Sequence, residues 1–301
     1  MLEMLIDARQ ADLGHGLAVR RILPFAKRRM VGPFIFLDHA GPVVFADAAR
    51  ARKADVRPHP HIGLATVSYL MSGAITHRDS LAVEQVIRPG DVNWMTAGSG
   101  ISHSERFEDS SVYGGAGLEL LQSWVALPKD DEETEPAFDH YPVHMLPEAR
   151  DAGLWLRVIA GRAFGLASPV KTHSPLFYVH LQLAAGTSFE LPTGYEERAA
   201  YVVRGRIQVG DDYFSPGQLL VFGADAAPAL TARDDSVVML LGGDALGPRH
   251  IWWNFVSSSS ERIEQAKADW RAGRIALPPH DHAEFIPLPE ENLPRPPAQA
   301  L

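Results

Sequence analysis

The sequence predicts an all-β protein, a duplicated antiparallel barrel followed by one short helix and an extended tail. Three observations carry this. Apolar residues come in short pieces that are β-branched or aromatic and largely alternating, the pattern of half-buried strands. The 25 glycines and 23 prolines are spread along the chain and cut those pieces apart. A unit of strand, glycine, strand and Pro-Gly turn also occurs twice. With 301 residues, the chain is about twice a typical domain of roughly 150 residues, so there is room for two cores.

The predicted strands run in order through Val67-Ser68-Tyr69-Leu70, Val83-Glu84-Gln85-Val86-Ile87, Leu154–Ile159, Phe177–Leu183, Tyr201-Val202-Val203, Arg206–Val209 and Val237–Leu241. Pro89-Gly90-Asp91, Ser215-Pro216-Gly217 and Gly210-Asp211-Asp212 supply the turns, since proline presets φ and glycine reaches positive φ. Tyr69–Gly73 followed by Arg88–Asp91 matches Tyr201–Gly205 followed by Ser215–Gln218, which places the two copies near residues 20–130 and 150–255. Helical signal is concentrated at Ser260–Arg271, about 260–272. Serines stand before it as caps, Ile263, Ala266 and Trp270 share a face, and Gly273 ends it. The acidic run Asp130–Glu135 before Pro136 is expected to be a solvated linker. The proline-rich tail after Gly273 is expected to run extended, with Phe285-Ile286 as its docking point.

Composition removes several functions. The chain has no cysteine, so disulfides, thiolate metal sites and a cysteine nucleophile are excluded. Net charge is −9, which gives no general attraction to nucleic acid or anionic membrane. No apolar run approaches the roughly 20 residues of a membrane span, and the first residues lack signal-peptide character, so a cytoplasmic location is expected. Gly98-Ser99-Gly100 lacks the lysine of a phosphate loop, and no G-x-S-x-G elbow is present.

Any metal must therefore be held by nitrogen and oxygen, and the chain has 13 histidines. His59-Pro60-His61 puts two imidazoles on one face of a strand, and His103-Ser104-Glu105 does the same with an imidazole and a carboxylate. On adjacent strands the pairs would converge three imidazoles and one carboxylate on a single point. That is a ligand set for one divalent transition metal, with two octahedral positions left open. Ligand type alone allows Fe(II), Mn(II), Ni(II), Cu(II) or Zn(II). His39 and His77 are expected at a turn and a strand end. His140, His144, His173, His180, His250, His280 and His282 are expected to be surface or core residues, the last two within a proline-bounded tail.

Gly32-Pro33-Phe34-Ile35-Phe36-Leu37-Asp38-His39, His59-Pro60-His61-Ile62-Gly63, Val67–Leu70 and Pro89–Glu105 resemble the pirin family of the cupin superfamily. The likeness continues through Leu121–Val125 and Trp252–Val256. It implies two cupin barrels (double-stranded β-helix, or jelly-roll) in tandem, 1–135 with the metal site and 136–301 metal-free, the latter carrying the helix and tail. It implies ligands at His59, His61, His103 and Glu105, with one metal per chain, Fe(II) first among the candidates. The implied activity is a quercetin 2,3-dioxygenase-like ring opening of a flavonol or a similar enolizable aromatic by O2, with Glu105 also taking the hydroxyl proton. The alternative is a non-catalytic, metal-dependent regulatory protein with a protein partner; a sugar or sugar-phosphate isomerase is a third class that the cupin fold allows. Many cupins carry glutamate where Ala65 stands, so altered substrate contacts are expected there. Counting from Gly205 and Gly217 puts Leu191, Thr193, Leu230 and Ala232 in place of the four ligands in the second barrel.

Overall fold

The computed structural model describes residues 2–12, 17–224, 226 and 228–289. Asp225, Ala227 and residues 290–301, with Pro294, Pro296 and Pro297 of the predicted tail, lie outside the described residues. Strands dominate, and each of the two compact units contains a large and a small sheet.

In the unit holding the predicted ligands, the four-stranded sheet runs in the order Val56–His61, Ile101–Arg106, Ile75–Asp79, Glu84–Ile87. The larger sheet runs Ala137–Tyr141, Val92–Thr96, Leu64–Ser72, Leu118–Ala126, Phe34–Val43, Ala18–Leu23, Arg9–Asp12. Strand alternation gives the inner face of the larger sheet a graded chemistry. Leu70 faces Leu120, Ser68 faces Gln122, and Thr66 faces Trp124. Leu70 and Leu120 join Ile75, Ile87 and Phe107 in an apolar cluster that closes one end. Gly63, at φ +68°, turns the chain out of the histidine strand. A side chain there would meet the Val256 carbonyl, so only glycine suits the position.

The second unit repeats the connectivity, which makes the internal repeat a property of the fold. Its small sheet runs Ser188–Glu190, Ala229–Ala232, Ile207–Val209, Asp212–Phe214. Gly73 and Gly205 occupy matching positions at φ +84° and +77°. Its interior is apolar: Phe189, Leu191, Leu230 and Ala232 are buried together with Val202, Leu220, Phe222 and Val238. Thr193, the fourth counted position, is exposed. Arg198 stands as far before Gly205 as Thr66 does before Gly73. Its buried guanidinium donates to the carbonyls of Pro192 at 3.2 Å and Ala224 at 2.8 Å, and to those of Gly223 and Ala226.

The units interleave along the chain, so a single cut near residue 135 does not describe them. Leu2–Asp7 is an edge strand of the second unit, paired with Gln218–Gly223. Helix Ser260–Arg271, predicted as part of the second domain, clusters with the first unit. Its apolar face decides this, because Ile263, Ala266 and Trp270 pack with Ile62, Phe255 and Ile275. Ser259 caps it, accepting from the Arg262 N–H at 3.3 Å. The acidic segment is not a solvated linker throughout: Glu132 is buried, pairs with Arg249 at 2.9 Å and accepts from Ser257 Oγ at 2.9 Å.

The tail docks as expected and lies along the outer side of Ile101–Arg106. Ser102 Oγ donates to the Ala276 carbonyl at 2.6 Å. Asp281 accepts from Ser104 Oγ at 2.6 Å and from two Arg106 nitrogens at 2.7 Å each. Phe285 meets Trp270 edge-on at 5.7 Å. The Ile286 N–H donates to the Pro58 carbonyl at 2.8 Å, so the tail is held to the histidine strand as well. Among the described residues, no helix is long and apolar enough to cross a membrane.

Arg106 is the hub of this strap, contacting Asp55 and Glu284 in addition to Asp281. Removing one partner of a largely buried ionic group leaves the others uncompensated. Arg106→Met is expected to lower the unfolding free energy by about 3–5 kcal/mol, read from the midpoint of a urea denaturation curve.

Candidate metal centre

Pairing of Val56–His61 with Ile101–Arg106 sets His103 directly opposite His59 and Ile101 opposite His61. Because His59, His61 and His103 share the inner face, their rings meet, with centroids 4.4–5.1 Å apart. One ligating nitrogen from each lies within 4.8 Å of the other two, and no other group of three metal-ligating side chains forms among the described residues. All three residues are buried.

Hydrogen bonding selects which nitrogen faces the centre. His59 Nδ1 is 2.9 Å from the Arg57 carbonyl and His61 Nδ1 is 3.2 Å from the Asn254 carbonyl. A carbonyl only accepts, so each Nδ1 carries the proton and each Nε2 keeps its lone pair. His103 Nδ1 lies 3.3 Å from His77 Nδ1, and His103 Nε2 is buried with no hydrogen-bond partner among the described residues. Burial holds the imidazoles neutral: the His59 pKa falls to about 4, and those of His61 and His103 fall well below the ordinary range. Neutral rings, ordered lone pairs and a buried nitrogen without a partner fit a divalent transition metal.

Glu105, the fourth predicted ligand, is not in the group of three. It does lie on their face of the strand, two residues past His103 and opposite His77. The ladder to Val56–His61 is irregular between His103 and Glu105, so the carboxylate is not carried in register with the imidazoles. Burial alone pushes its carboxyl up to about 7.

The walls come from the larger sheet. Trp124 meets His61 edge-on at 5.1 Å, and Phe138 stacks on His77 at 4.4 Å. Register places Phe138, Met95, Thr66 and Trp124 in one row, with His140, Asn93, Ser68 and Gln122 in the next. His140 Nδ1 is 2.7 Å from Asn93 Oδ1, and Ser68 Oγ donates to Gln122 Oε1 at 2.8 Å. Ala65 pairs with Val125 and Thr96, one residue out of step with Thr66 and Ser68, so it lies on the sheet face away from the histidines.

Two sequence expectations change. His39 sits in a strand rather than a turn, buried beside Glu119 at 3.1 Å and Arg20 at 3.2 Å. His77 lies within a strand and contacts a predicted ligand. The signal for it is present in the sequence, since His77-Arg78-Asp79 repeats the same-face spacing of the ligand pairs. The other histidines outside the three-residue group stay outside any such cluster among the described residues.

Two outcomes follow for the purified protein. Divalent metal should bind at one equivalent per chain, and His103→Ala should remove it, as read by elemental analysis. Glu105, with a folded pKa near 7 against an ordinary 4.5, keeps a proton in the folded state that the unfolded chain has already lost. Its burial therefore subtracts stability progressively as pH rises from 4.5 to 7, in the metal-free protein. Glu105→Gln should gain stability over the wild type on going from pH 5 to pH 8, measured by urea unfolding in the presence of a chelator.

Comparison with known proteins agrees with the geometry. Residues 16–125 match the Pirin family model and residues 178–276 match the Pirin C-terminal cupin domain. A pirin-like protein of Caulobacter vibrioides is 54% identical, covering 96% of this chain and all of its own. The crystal structure of a quercetin 2,3-dioxygenase from Acinetobacter baumannii superposes with a TM-score of 0.87 at 33% identity, over 97% of this chain and 96% of that one. A second quercetin 2,3-dioxygenase structure from the same organism gives 0.82 at 26% identity, over 92% and 98%. With both of its halves matched and its fold reproduced, the chain belongs to the pirin family and is built from two cupin domains.

Proposed function

We propose that this protein is a metal-dependent dioxygenase, most simply an Fe(II) enzyme, opening the ring of a flavonol or a similar enolizable aromatic with O2. The observation that carries the reading is the convergence of three neutral imidazoles beside both aromatic and hydrogen-bonding side chains. The likeness to proteins named quercetin 2,3-dioxygenase supports it.

His59, His61 and His103 would hold the metal, with Glu105 as a fourth ligand. When bound, that ion supplies a Lewis acid for an enolate oxygen and a redox partner for O2. The chain does the rest. Trp124 and Phe138 offer faces against which a planar aromatic substrate packs. Asn93, Ser68 and Gln122 offer an amide and hydroxyl row for its peripheral hydroxyls. Glu105, two residues past His103 on the same strand face, accepts the proton of the acidic hydroxyl. The apolar plug of Leu70, Ile75, Ile87, Phe107 and Leu120 keeps water from that end of the barrel. A regulatory role using the same metal without turnover is the second reading; the relative with 54% identity is named only as pirin-like, with no activity in the name.

Oxygen uptake and loss of flavonol absorbance by the Fe(II)-loaded protein test the proposal. Turnover is expected with the wild type and is expected to vanish in His103→Ala. Full metal occupancy with no oxygen uptake across several flavonols would leave the regulatory reading in its place.

A further inference from the structure

We propose that His77 and Asp79 are positioning residues for the metal centre, holding His103 in the tautomer whose Nε2 lone pair faces His59 and His61. This rests on reading the three-histidine group as a metal site. The need for such residues follows from what each Nδ1 faces. His59 and His61 meet backbone carbonyls, which can only accept, so their tautomers are settled locally. His103 Nδ1 meets another imidazole nitrogen, His77 Nδ1, at 3.3 Å. A neutral imidazole can donate or accept through that atom, so His77 by itself leaves His103 undecided.

Asp79 decides. Its Oδ2 lies 2.9 Å from His77 Nε2. Its Oδ1 accepts from the N–H groups of Leu81 at 2.9 Å and Val83 at 3.2 Å. A carboxylate held by two backbone donors is an acceptor, so His77 Nε2 must donate to it. His77 Nδ1 then accepts, His103 Nδ1 donates, and the His103 Nε2 lone pair is left free. That atom is the buried nitrogen with no partner among the described residues. Phe138, stacked on His77 at an interplanar angle of 20°, keeps the ring from turning out of the chain. Carboxylate partners of this kind raise ligand basicity and fix ring orientation in metal sites generally.

The isosteric variant Asp79→Asn tests the idea. Its amide oxygen can still accept from Leu81 and Val83, while its NH2 group points a donor at His77 Nε2. Every hydrogen bond in the chain then reverses, and the proton comes to rest on His103 Nε2. Co(II) alone, titrated into the metal-free full-length protein and followed by visible absorption, should bind about 10–100-fold more weakly. The absorption of bound Co(II) should also shift. His77→Phe, which keeps the stack on Phe138 and leaves the Asp79 turn intact, should weaken binding to a similar degree. The double variant should be no weaker than the weaker single one, because both act through one chain. Wild-type affinity and spectrum in folded Asp79→Asn or His77→Phe would overturn the proposal. Equal Co(II) affinity in wild type and His103→Ala would instead overturn the metal-site reading beneath it.

Discussion

The centre depends on the period of two in the strand Ile101–Arg106. Its inward residues are Ile101, His103 and Glu105; its outward residues are Ser102, Ser104 and Arg106. The outward set is bound to Ala276, Asp281 and Glu284 of the tail, so the strand is held from outside by hydrogen bonds while it presents imidazole and carboxylate inside. A one-residue slip would exchange the two sets. The tail, far away in sequence, therefore contributes to the register of the strand that carries His103. Charge-assisted bonds donated by Arg106 to Asp281 give that strap most of its strength.

The two barrels show how one topology accommodates different interiors. In the first, the small sheet brings histidines inward and the opposite sheet answers with polar and aromatic rows. In the second, Phe189, Leu191, Leu230 and Ala232 are buried together instead, and the interior closes as an apolar core. Arg198 replaces Thr66 and spends its donors on backbone carbonyls, so its charge is solvated by the protein itself. Duplication thus yields one unit with a histidine-lined interior and one with an apolar core, without any change in strand order.

Burial does two kinds of electrostatic work around the three histidines. It keeps the imidazoles neutral, which makes them donors of lone pairs at neutral pH. It also raises Glu105 to where a carboxyl can exchange a proton near pH 7. Both effects come from placing polar groups between an apolar plug and a closed sheet, an arrangement that is unfavourable for the metal-free chain and suited to an ion that would offset it.

By itself, the sequence determined the all-β class, the duplication, the helix at Ser260–Arg271 and the three imidazoles that meet. Each of these rests on local rules: alternation along a strand, turn chemistry, an amphipathic face and i, i+2 spacing. Tertiary structure decided what depends on distant partners. The helix and tail joined the first unit because Ile263 and Trp270 found Ile62 and Phe255 there. Glu132 became buried because Arg249 and Ser257 came to meet it. His77 acquired a role only when the strand Ile75–Asp79 was laid beside Ile101–Arg106, since a strand's own sequence says which residues share a face and nothing of what that face will touch.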